Sequence, residues 1–70
     1  MLNYYDLCNV SPSASQEEIR KSIHQLMRLW SHRTNAPQME RRQEAERMVR
    51  LLEEAEDILL DEEKRKEYDE

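Results

Sequence analysis

An all-α fold, a small bundle of helices built on one antiparallel pair, is what this sequence predicts. Three observations predict it. The chain has 70 residues, no glycine, two prolines and 39% charged residues, a composition that suits helices and starves hairpins of their Asn-Gly and Gly-X turns. Two stretches repeat apolar residues at three- and four-residue steps, the mark of amphipathic helices. A short link containing Pro37 separates them, so the two helices must run antiparallel with their apolar faces together. Helices are placed near residues 3–8, 15–30, 37–60 and 61–68. Residues 1–70 form a single domain. A chain this short buries only about 60% of its unfolded surface, so every apolar stretch is needed in the core.

The first element is brief. Asn3 is placed to cap Tyr4-Tyr5-Asp6-Leu7-Cys8, and Asn9 follows where a helix end wants a residue able to adopt the left-handed conformation. Val10 is an apolar anchor, and Ser11-Pro12-Ser13-Ala14 is a connector. Ser15 with Glu18 makes a capping box that opens the second helix. Ile19, Ile23, Leu26, Met27 and Trp30 form its apolar face, while Arg20, Lys21, His24 and Arg28 gather on the other side. That stripe is either a solvated face or a docking surface for an acidic partner. Pro37 disfavours helix in Ala36, so Ser31–Ala36 is expected to be a loop at the tip of a helical finger.

The third element is the spine of the bundle. Ala45, Met48, Val49, Leu52, Ala55 and Leu59 share one face, widened by Leu51 and Ile58. Pro37 suits its first turn, with Asn35 and Gln38 as candidate caps. Its outer face carries Arg47, Arg50, Glu53, Glu54 and Asp57, with Glu46–Arg50 and Arg50–Glu54 at i,i+4 spacing. Asp61 caps a last short helix, and Tyr68 folds back onto the core. The predicted core is Tyr4 or Tyr5, Leu7, Val10, Ile19, Ile23, Leu26, Trp30, Val49, Leu52, Ala55, Leu59 and Tyr68.

Net charge is −5, unevenly spread: residues 1–35 hold 4 basic against 3 acidic residues, and residues 36–70 hold 7 against 13. The acidic half argues against nonspecific nucleic-acid binding. No apolar run approaches the ~20 residues of a membrane span, and nothing resembles a signal peptide. With the lone Cys8 as a core thiol, the expected compartment is the cytoplasm. Enzyme chemistry finds no support. His24 and His32 do not converge with Cys8 at metal-site spacing, and a chain without glycine has no Gly-rich phosphate loop. No cofactor is expected, and the domain is expected to be a monomer in isolation.

These residues, in this order, resemble the J domain of DnaJ-type co-chaperones over almost the whole chain. Asn3-Tyr4-Tyr5-Asp6-Leu7 looks like the family's opening Asp-Tyr-Tyr-x-x-Leu, and Asn9-Val10-Ser11 stands where Gly-Val-Ser is usual. Glu18-Ile19-Arg20-Lys21-Ser22 is similar to Glu-Ile-Lys-Lys-Ala. Leu52, Glu54-Ala55, Ile58-Leu59 and Asp61 follow the Ile-x-Glu-Ala-x-x-Val-Leu-x-Asp pattern, and Glu63-Lys64-Arg65-Lys66-Glu67-Tyr68-Asp69 is close to the closing motif. The resemblance implies a J-domain-like bundle of four helices. It also implies a partner, a DnaK-type chaperone, engaged through the basic second helix and a His-Pro-Asp tripeptide that triggers ATP hydrolysis. Here Ser31-His32-Arg33 replaces that tripeptide. Arg33 inverts the charge of the family's carboxylate.

The expected function is a J-like interaction module that does not stimulate a chaperone's ATPase. Its partner-binding residues are Arg20, Lys21, His24, Arg28, Ser31, His32 and Arg33, and its partner is a DnaK-type chaperone or another acidic protein surface. Two alternatives stand beside it: a working co-chaperone with a non-standard loop, and a structural domain of a larger protein. A chain running from Met1 to just past the closing motif looks like the N-terminal domain of a longer protein.

Overall fold

The computed structural model describes residues 3–70. Helices α1 (Tyr4–Leu7), α2 (Gln16–Arg33), α3 (Met39–Leu59) and α4 (Glu62–Asp69) follow one another, with no strand among the described residues. Local chemistry starts and stops them as the sequence predicts in most places. The Asn3 side chain accepts from the Tyr5 and Asp6 N–H groups at 2.9 and 3.4 Å. Asn9 takes φ 58°. This lets its own N–H reach Asp6 O and the Val10 N–H reach Tyr5 O, so the last carbonyls of α1 are satisfied. Ser15 and Glu18 form the reciprocal capping box. The Asp61 side chain accepts from the Lys64 N–H at 3.0 Å.

The finger tip departs from expectation. α2 does not stop at Trp30 but runs on to Arg33, with Thr34 as its cap. Ser31, His32 and Arg33 are therefore its last turn, not a loop. Only residues 34–38 link the pair, and nothing before Pro37 forbids helix at positions 31–33. α3 in turn begins at Met39, two residues past Pro37, and no side chain caps it. Asn35 is instead held in the turn, its N–H donating to His32 O.

Ile19 and Ile23 from the first half of α2 share a core with Leu52, Ala55 and Leu59 from the second half of α3. That pairing is antiparallel. Tyr5, Cys8 and Ala14 complete the buried cluster. Tyr4, Leu7, Val10, Leu26, Met27, Trp30, Ile58, Leu60 and Tyr68 pack around it half-buried. Two core assignments change. Ala14, placed in a connector, is buried. Val49 is half-buried and lies outside the cluster, because it sits at the edge of the α3 band, roughly 60° round from Leu52.

α4 is fixed by polar contacts more than by burial, since it buries no residue fully. The Tyr68 hydroxyl accepts from the Tyr4 N–H at 2.9 Å, and its ring leans on those of Tyr4 and Tyr5. Arg65 donates to the Tyr5 hydroxyl at 3.1 Å and to the carbonyls of Pro12 and Ala14 at 3.0 and 2.7 Å. One guanidinium thus ties the last helix to the first and to the connector. On α3 neither anticipated i,i+4 pair closes. The ion pairs among the described residues are Glu17–Arg20, Asp57–Lys64 and Arg65–Asp69.

Candidate docking surface

α2 carries the candidate residues because its phase is set by Ile19 and Ile23. Both are fully buried against α3, so the side chains about half a turn away must face water. Lys21, His24 and Arg28 are exposed. Together with Gln25, Met27 and Glu56 they line one open groove along the α2–α3 seam. Lys21 and Arg28 make no ion pair among the described residues, and both are therefore available to an outside carboxylate.

The other sequence-predicted residues separate from this group. Arg20 is held by Glu17 and faces a second cleft with Gln16, Leu60 and Glu62. Its guanidinium draws the Glu17 carboxyl below its usual range. Ser31 and His32 are exposed and, three and four residues beyond Arg28, extend the groove's face by one turn. Arg33 does not. At about 100° per residue it lies roughly 140° round from Arg28. Its guanidinium carbon sits 4.7 Å from the centre of the Trp30 ring, a cation–π distance.

Sequence reasoning missed several residues here. Glu56 puts a carboxylate on the rim of the basic groove. Arg41 and Glu44 meet Trp30, Arg33 and Ala36 in a separate cleft at the tip. Arg41 was within reach of the pattern, since it precedes the buried Ala45 by four residues and so shares its face.

Cys8 is fully buried, and burial pushes its thiol up to about 11, away from the reactive thiolate. No three His, Cys, Asp or Glu side chains converge among the described residues. No described helix is long and apolar enough to cross a membrane. What the surface can do is present positive charge beside Met27.

A family model described as the DnaJ domain matches residues 3–69. Chaperone protein DnaJ of Thermosipho africanus is 42% identical over 67 residues, which cover 96% of this chain and 17% of that protein. DnaJ homolog subfamily B member 8 of Homo sapiens is 39% identical over 69 residues, covering 99% of this chain and 28% of that protein. The mitochondrial chaperone protein dnaJ 1 of Arabidopsis thaliana is 40% identical over 67 residues, covering 96% and 15%. The chain thus spans less than a third of the length of these relatives. No solved structure matches.

Proposed function

This chain belongs to the DnaJ domain family, and from that premise we propose that it is a non-enzymatic docking module for a DnaK-type chaperone that binds without triggering ATP hydrolysis. One observation carries the docking half. Lys21, His24 and Arg28 line a single open groove, and all three are exposed while Ile19 and Ile23 are fully buried. An acidic partner can lie along them without disturbing the fold. Binding of this kind is steered and held by charge, and it weakens as salt screens the exposed groups.

The silent half rests on Ser31-His32-Arg33. The resemblance assigns the trigger to a loop carrying a proline and a carboxylate. In this chain the proline's place is taken by His32, and helix continues through Arg33. The carboxylate's place is taken by an arginine folded onto Trp30. A cationic site on the partner that expects Asp would meet a like charge, and the charge-assisted bond it loses is worth about 1.5–3 kcal/mol.

The test is a binding titration against a DnaK-type chaperone at several salt concentrations. Affinity is expected to fall as salt rises. Lys21→Glu with Arg28→Glu is expected to abolish binding while leaving the melting temperature within a degree or two. Undiminished binding by that double variant would remove the groove from the docking reading, and no binding by the unmodified domain would favour a structural domain.

A further inference from the structure

We propose that the tip of the helical finger holds a second recognition site, a cleft between Trp30, Arg33 and Arg41 that takes a carboxylate from an acidic peptide segment of a partner protein. It goes beyond the docking groove and does not depend on the identity of the groove's partner. Trp30, Arg33 and Ala36 come from α2 and the turn, and Arg41 and Glu44 from the first turns of α3. The cleft is about 380 Å³, at the low end of the roughly 300–1,000 Å³ usual for ligand pockets. That is room for one or two side chains.

Charge names the occupant. Residues 28–42 contain Arg28, Arg33, Arg41 and Arg42 against a single carboxylate, Glu40, in a chain whose net charge is −5. Neither Arg33 nor Arg41 forms an ion pair among the described residues. The Arg33 guanidinium carbon lies 4.7 Å from the centre of the Trp30 ring. A planar fork of this kind matches a carboxylate in bidentate fashion. Arg41 lines the same cleft from α3 and is exposed. Glu44 on the rim and the acidic body behind it repel an extended polyanion, which favours a local carboxylate over nucleic acid. Exposed apolar side chains flank the tip: Leu29 at 44% and Met39 at 63% of full exposure. Leu29 is one helical turn before Arg33 and on its side of α2. The favoured peptide therefore carries an apolar residue beside its carboxylate.

Trp30 is the only tryptophan, so its fluorescence reports the cleft directly. The intact domain is titrated with acetylated hexapeptides bearing one to three Asp or Glu beside Leu. Controls are the same peptides with Asn and Gln, inorganic phosphate, and vesicles of phosphatidylcholine with 30% phosphatidylserine. Saturable change is expected with the acidic peptides alone. Arg33→Gln with Arg41→Gln is expected to weaken it at least tenfold, with unchanged helical content by circular dichroism. Lys21→Glu with Arg28→Glu is expected to leave it within twofold, which separates this site from the groove. The proposal is overturned by no saturable change, by an equal response to the amide peptides or to phosphate, by a blue shift confined to vesicles, or by full binding in the Arg33/Arg41 variant.

Discussion

Cys8 shows what the fold does to one side chain. Its thiol is fully buried, and burial raises its pKa from 9.0 to about 11. Burial also raises Tyr4 and Tyr5, assisted by Glu54 and Asp69 respectively. A group whose folded pKa is raised contributes stability that is whole below its unfolded pKa and is lost as pH rises toward the folded value. Stability should thus hold up to about pH 9 and fall between 9 and 11. A melting curve at each pH checks this, and Cys8→Ala should flatten part of the fall. At pH 8 the thiol should react with a disulfide reagent only as fast as the domain opens.

Single residues were also the most legible part of the sequence. Ser15 and Glu18 are three apart and satisfy each other's backbone ends. Asn9 takes the left-handed conformation its position demanded. Such effects act within one turn, so local spacing is enough to find them. Arg65 was not legible. Its acceptors are carbonyls 53 and 51 residues away, and nothing near it in the chain marks it out from Lys64 or Lys66.

At the level of helices, the α2–α3 pair carries the stability. Leu52 is fully buried between them, and Leu52→Ala should cost about 2–5 kcal/mol through lost burial and the cavity left behind. Denaturant unfolding measures it, and a negligible shift of the midpoint would mean that the phase of α3 is wrong. α4 is a different case. With no fully buried residue of its own, it hangs on Arg65 and Tyr68. Arg65→Ala should lower stability by about 1.5–3 kcal/mol and speed amide exchange in α4 ahead of the rest. Arg65→Lys should rescue little, because one ammonium cannot match the fork that reaches Tyr5, Pro12 and Ala14 together.

Helix phases were readable from periodicity, which is why the buried faces of α2 and α3 came out largely as expected. The end of α2 was not. Pro37 constrains only Ala36, so the sequence bounded the helix without saying where it stopped. The extension to Arg33 matters for the site. As a loop, Ser31, His32 and Arg33 would act together. As a helical turn they are splayed, with His32 on the side of Arg28 and Arg33 turned onto Trp30. Glu56 and Arg41 reach their clefts only through the packing of α3 on α2, and no local pattern on α2 announces them.

For the whole molecule, charge is separated by place. The exposed side of α2 and the finger tip are basic, while residues 36–70 hold 13 acidic against 7 basic residues. This polarity sets a basic face apart from an acidic remainder. Lys21 and Arg28 make no ion pair among the described residues, so reversing both should leave the fold intact.

Single-turnover ATP hydrolysis by a DnaK-type chaperone tests the central claim most directly. The chaperone is preloaded with labelled ATP and mixed with the domain at concentrations where binding is saturated. The account predicts a hydrolysis rate unchanged from that of the chaperone alone, even though the complex forms. Acceleration of several-fold or more by the unmodified domain would contradict it, and would mean that a helical turn of Ser31, His32 and Arg33 can do the work of the family's loop.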